Sequence, residues 1–330
     1  MHIPDGLMDP NVALLGWLEF LVAIAIALYI SKGSLKEKDL PRLAVLSAGV
    51  FVAQMLNFPI GGGTTGHLIG GALMAVMIGP MAAIIGMTVI LVIQGLMFGD
   101  GGITALGLNA VNMAVIAPLT GWGVYTLMRH VVVREKGQVQ GRLDPGITLA
   151  IAVGAWASVF LAAAACTAEL AVSYAISGGA YGIAASVSVP AMLGYHAIIG
   201  IGEAIITATI ASYVWYAAPE AFAKRLDKAD PGRVLAGFLS SNVAKATLAV
   251  LVVFALALPL YFMYSADGED GLESTMTESG VSEGEPLIES PFSYGESYFA
   301  ALFAGVIGFV ATALASIGLL GLLRGIKTAD

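Results

Sequence analysis

The chain has 330 residues, of which 58% are hydrophobic and only 12% charged, and its mean hydropathy is +0.87. These values exceed the apolar share of a soluble globular domain and predict an all-α membrane protein, a polytopic helical bundle in contact with lipid. A net charge of −8 argues against nucleic acid as a partner, and the one cysteine, Cys166, excludes an internal disulfide and reads as apolar filler.

The chain opens Met-His-Ile-Pro-Asp-Gly. A histidine at position two offers three nitrogens to one cation: the Met1 α-amine, the His2 backbone amide once deprotonated, and the His2 imidazole. A deprotonated amide favours planar Ni(II) or Cu(II), with Co(II) also accessible, and a fourth nitrogen such as that of His67 would close the square. Zinc prefers tetrahedral ligands and fits less well. The start lacks the basic n-region of a cleavable signal peptide, and an imidazole at position two disfavours methionine removal, so Met1 is expected to stay.

Apolar runs of about 20 residues, the length a helix needs to cross the hydrocarbon core, predict nine spans. They lie near 12–31, 43–58, 67–79, 81–98, 107–128, 146–170, 190–217, 240–263 and 297–322. The run 67–98 divides at Gly79-Pro80. A single pass there would set Arg129, Arg134, Lys136 and Arg142 opposite Lys32, Lys36, Lys38 and Arg42, against the positive-inside bias. With nine spans, the N-terminus outside and the C-terminus inside, all 15 Lys and Arg fall on the cytoplasmic side, while Met1, His2 and His67 face outward.

Between the second and third spans, Gly61, Gly63 and Gly66 fit G-x-G-x-x-G, but no βαβ unit surrounds them and no acidic residue follows at the required distance. They read as turn residues that bring His67 down to the N-terminal segment. Asp100, Asn109 and Asn112 flank the next external loop and read as orienting the glycine-rich loop or His67. His196 and Glu203, seven apart on the seventh span, share a helix face. Glu203 reads as accepting the His196 ring hydrogen, and His196 as supporting the site rather than ligating. Glu19 and Gln54 read as interior hydrogen-bonding groups, and His130 as a solvated bystander in a cytoplasmic loop. Ala23 and Ala27 form a small-xxx-small pair that would admit a neighbouring helix.

Three parts follow: a seven-span unit at 1–218, a basic cytoplasmic linker at 219–233 containing Asp230-Pro231-Gly232, and a two-span hairpin at 234–330. The hairpin's external segment, 265–296, holds nine acidic residues and no basic one. Its composition predicts a solvated, poorly ordered stretch whose charge would raise the local cation concentration.

Met-His-Ile-Pro-Asp-Gly at 1–6, Gly-Gly-Gly-Thr-Thr-Gly-His-Leu-Ile-Gly-Gly-Ala at 61–72, Phe-Gly-Asp-Gly-Gly-Ile-Thr-Ala-Leu-Gly at 98–107, and His-Ala-Ile-Ile-Gly-Ile-Gly-Glu-Ala at 196–204 together resemble the CbiM/NikM family over residues 1–218. Its members are substrate-binding components of energy-coupling-factor transporters for cobalt and nickel in prokaryotic cell membranes. The remainder resembles the two-span N subunit fused behind it, with Asp270-Gly271-Leu272-Glu273 matching that subunit's signature except that Glu269 stands in place of proline. The resemblance implies that Ni2+ or Co2+ is held as transported substrate by Met1, His2 and His67, and the fused form leans toward nickel. It implies a transmembrane coupling (T) subunit and ATPase subunits as partners, and no catalytic cofactor. The chain has no G-x-x-x-x-G-K-[ST] stretch to bind ATP itself.

Two other classes remain to weigh. A metal-dependent membrane hydrolase would need an open coordination position, which four protein nitrogens in a plane do not leave, and the chain has no H-E-x-x-H. An ion channel needs weak, multiple sites, which a tight chelate is not.

Overall fold

A computed structural model describes residues 1–34, 39–61, 63–132, 143–217, 242–266 and 268–325. The linker 219–233, together with Lys36, Lys38, Arg134, Lys136 and Arg142, lies outside the described residues. In order, the helices are α1 (Pro10–Ser34), α2 (Asp39–Gln54), α3 (Gly71–Ile78), α4 (Pro80–Ile93), α5 (Leu106–Asn109), α6 (Ala117–Val132), α7 (Pro145–Ile176), α8 (Ala185–Ala217), α9 (Asn242–Tyr264), α10 (Gly271–Ser279) and α11 (Tyr298–Gly325). A two-stranded antiparallel hairpin, β1 (Phe58–Gly61) and β2 (Thr64–Gly66), lies between α2 and α3. Apolar side chains all round these helices, and backbone groups satisfied within each helix, are what lipid demands. Proline opens α4 and α7, where its missing N–H costs nothing, and Asp144 caps α7 by accepting from Gly146 N at 2.7 Å.

Among the described residues, seven helical stretches are long and apolar enough to span a membrane, and α2 is a shorter apolar helix. Each coincides with a predicted span. The predicted third span at 67–79 does not: α3 has only 8 residues, a rise of about 12 Å where a hydrocarbon core is about 30 Å thick. Residues 67–70 are instead chain without regular structure, and glycines in left-handed or otherwise positive-φ backbone bound the helix, Gly70 at φ 77° and Gly79 at φ 88°. Helix α4 continues through a π-helical turn, Gln94–Phe98, and a second π-helical segment, Ala110–Ile116, joins α5 to α6. His130 lies in the last turn of α6, exposed, rather than in a loop.

α7 packs along α6 and α8, and α11 lies along α2 and α4. Glycines permit the second contact: a Cβ at Gly308 would overlap the Phe51 ring. Ala27 of the small-residue pair on α1 is fully buried against Ile84 and Ile85 of α4, and Ala23 is half-buried. Glu19, expected in the interior, is exposed on α1.

The acidic segment is ordered, contrary to its composition. Asp270 accepts from Leu272 N at 2.7 Å and Glu273 N at 2.9 Å, Glu273 returns a carboxylate to Asp270 N at 2.6 Å, and this capping box starts α10. Thr65 N donates to Glu269 O at 2.8 Å, so the segment adds itself beside β2. Those contacts supply the ordering energy that charge repulsion alone would withhold.

Candidate metal centre

The first eight residues fold inward and are mostly buried; Met1 is 2% exposed and Ile3 0%. Their backbone has no regular partner, so side chains satisfy it. Asn109 accepts from Ile3 N at 2.8 Å and donates to Ile3 O at 3.1 Å, while Gly102 N donates to the same carbonyl at 2.8 Å. Asp5 accepts from Thr104 N at 2.8 Å and from Leu287 N at 2.9 Å. Gly102 is required here, because a Cβ would sit 2.6 Å from the Pro4 carbonyl carbon.

His67 arrives from the other side, at the end of β2. Its Nδ1 lies 3.0 Å from the Leu68 carbonyl, which can only accept, so Nδ1 carries the hydrogen and Nε2 keeps its lone pair. The loop behind it is fixed by the buried Glu203, whose two oxygens accept from Ile69 N at 2.7 Å and Gly70 N at 2.9 Å. Gln54 donates to Ile69 O at 2.6 Å and accepts from Gln94 at 2.7 Å, and Gln94 Oε1 lies 3.3 Å from His2 Nε2.

Met1 N is 3.3 Å from His67 Nε2, and the His2 and His67 rings stack at 5.2 Å. His2 Nδ1 lies 3.0 Å from Asp100 Oδ1, whose other oxygen accepts from the Tyr294 hydroxyl at 2.8 Å. The Met1 ammonium donates to Asp270 Oδ2 at 2.6 Å. Burial opposes that ammonium charge, but the Asp270 carboxylate outweighs it and raises the amine pKa. Asp270 is likewise disfavoured as an anion by burial and yet held well below the usual carboxylate range by the ammonium. Burial, with the ammonium and His2 beside it, lowers His67 to about 3. Burial also lowers His2 in spite of Asp100, so both rings are neutral ligands in waiting.

Met1, His2 and His67 thus meet, and Asp100 and Asn109 adjoin them through His2 and Ile3. Asn112 does not: it points to α7 and donates to Glu169 at 2.7 Å. Glu203 is engaged with the Ile69 and Gly70 N–H groups, and the His196 ring hydrogen on Nδ1 goes to the Met192 carbonyl instead. His196 lines the small cavity beside Met1 and His67, and its Nδ1 pairs with Met192 O at 2.8 Å. Among the described residues no three His, Cys, Asp or Glu side chains stand together as a metal cluster. Asp270 is the residue that sequence reasoning passed over as a site group. Its D-x-x-E capping pattern was visible, but nothing in it points to Met1.

A multi-pass helical membrane protein with its own N-terminus folded into a nitrogen-lined pocket is the class so defined. Residues 2–221 match the family described as cobalt uptake substrate-specific transmembrane region, CbiM, and the chain belongs to that family. Among its relatives is the fused nickel transport protein NikMN of Rhodobacter capsulatus, 33% identical over 290 residues that cover 85% of this chain and 78% of that one. An Archaeoglobus fulgidus chain proposed to be a fused NikMN is 33% identical over 314 residues, covering 94% and 95%. The crystal structure of a transition metal transporter superposes with a TM-score of 0.58 at 33% identity, covering 73% of this chain and 100% of that one. A truncated transition metal transporter gives 0.57 at 37% identity, covering 65% and 97%. The protein is therefore a membrane component of nickel/cobalt transport, a transporter and not an enzyme, which removes the hydrolase reading.

Proposed function

We propose that the chain is the substrate-specific component of an ATP-driven energy-coupling-factor importer in a prokaryotic cell membrane, taking Ni2+ or Co2+ from outside. The relatives fused in the same way are named for nickel, which favours that ion. Residues 1–218 form the binding component and 234–330 an N-subunit-like hairpin, joined by the 219–233 linker. Coupling and ATPase subunits supply the energy.

The Met1 amine, the His2 amide and imidazole, and His67 Nε2 hold the ion. The 3.3 Å approach of Met1 N to His67 Nε2 carries this reading. Two nitrogens bonded at about 2.0 Å to one ion at right angles stand about 2.8 Å apart, so a shift of roughly half an ångström brings the pair into register. His2 Nδ1, the nitrogen that would close a ring with its own amide, must then exchange Asp100 for the ion. Loading strips water from the cation and releases the amine and amide protons.

Acetylating the α-amine, or inserting one residue between Met1 and His2, tests the reading. Nickel or cobalt uptake in cells carrying the coupling and ATPase subunits should be lost in both cases, and unchanged uptake overturns the assignment. Uptake that persists without the ATPase subunits would overturn the energy coupling and favour a channel.

A further inference from the structure

We propose that Asp270 donates an oxygen to the transported ion, so that the fused hairpin completes the coordination sphere rather than merely covering it. The inference rests on the binding reading above. Its first support is geometric. Met1 N, His67 Nε2 and Asp270 Oδ2 are separated by 3.3, 2.6 and 3.8 Å, taking the amine–imidazole, amine–carboxylate and imidazole–carboxylate pairs in turn. A circle through three such points has a radius of about 1.9 Å, and first-row ions bond nitrogen and oxygen at about 2.0–2.2 Å. An ion within about 1 Å of that plane therefore lies at bonding distance from all three donors where they stand, before the half-ångström closure of the amine–imidazole pair and the release of His2 from Asp100.

The second support is that the carboxylate is built to face this point. Its Oδ1 is committed to the cap of α10, on Leu272 N and Glu273 N, and Asp270 N is tied to Glu273. Oδ2 is left aimed at the amine. The backbone bond from Thr65 N to Glu269 O fixes the spacing between Asp270 and His67, each lying near one end of it. The third support is charge. A divalent ion on neutral imidazoles, a neutral amine and one deprotonated amide leaves a net positive charge in a buried pocket, and an unpaired buried charge is costly. Two carboxylates stand at this pocket, Asp100 on His2 Nδ1 and Asp270 on the amine, and Asp270 is the more buried, at 13% exposed against 22%.

The rival role for Asp270 is a placeholder that grips the amine and must be displaced by the ion. The two roles differ in sign: removing a placeholder tightens binding, whereas removing a ligand weakens it. Asp270→Asn is the variant that separates them, because asparagine caps a helix as well as aspartate does and α10 stays in place. Isothermal titration of the full-length chain with Ni(II) should show the variant binding at least about tenfold more weakly, the loss that even outer-sphere partners of a metal produce. X-ray absorption at the nickel edge should show the square-planar 1s→4p feature damped in the wild-type chain and restored in Asp270→Asn. Equal or tighter binding overturns the proposal, and so does a spectrum unchanged by the substitution at whatever affinity, since an outer-sphere partner alone accounts for a weakened site. His67→Ala is measured alongside. If it binds nickel like the wild type, the ion sits elsewhere and the whole site reading falls. If it abolishes binding while Asp270→Asn changes nothing, only the role of Asp270 is lost.

Discussion

His67 can present one nitrogen to an ion, because its Nδ1 hydrogen is committed to the Leu68 carbonyl, and burial, with the ammonium and His2 beside it, lowers the ring to about 3. The Met1 amine is different. Its pKa is raised above the ordinary 8.0 by Asp270, against the opposing effect of burial. A raised amine pKa means that the ammonium–carboxylate pair stabilises the metal-free protein fully below about pH 8 and is lost as pH climbs through the raised value. In the proposed chelate the ion takes the amine without its proton. Nickel affinity should therefore increase with pH from neutrality upward, and titrations in buffers of differing ionisation enthalpy should count protons released on binding. An affinity flat in pH with no proton release would contradict a chelate built on the amine. The proposed roles of Met1 and His2 can be read from the sequence because both chelate rings would close within two residues. That of Asp270 cannot, since 269 positions separate it from Met1 and only the folded hairpin brings them together.

Among the elements, the hairpin segment and α3 carry most of the difference between sequence and structure. Hydropathy counts apolar residues over 67–79, but it cannot register that the first four are irregular chain, in which the Ile69 and Gly70 N–H groups go to Glu203 and the Ile69 carbonyl to Gln54. The acidic stretch misled in the opposite direction, because its order comes from the capping box of α10 and from Thr65 rather than from apolar content. The N-terminal segment depends as closely on the 99–105 loop. Gly102→Ala would drive a methyl group into the backbone of Pro4 and Asp5, and the segment must lift to relieve it. Crowding of this kind costs about 1–3 kcal/mol. The variant should lose most of its nickel affinity while its helix content by circular dichroism stays that of the wild type. Retained affinity would show that the segment can seat itself without the Gly102–Ile3 contact.

At the scale of the whole molecule, residues 1–8, 63–70, 97–105 and 268–294 gather at one end of the bundle, joined by Met1–His67, Gly102–Ile3, Thr65–Glu269 and Phe292–Met97 contacts. Short as it is, α3 runs away from that end and α4 returns to it, so the pair leaves the alternation of the remaining helices as two full spans would. That is why the count of positive charges still predicts one orientation, with the site end outside. The one native cysteine, Cys166, is buried and gives a silent background for labelling. Glu283 is exposed beside the site and His130 is exposed in the last turn of α6, at the opposite end. A cysteine introduced by Glu283→Cys should react with a membrane-impermeant maleimide on intact cells, and one introduced by His130→Cys should react only after the membrane is opened. The reverse pattern would set the metal pocket in the cytosol, where it would meet ions already imported, and uptake from outside could not begin there.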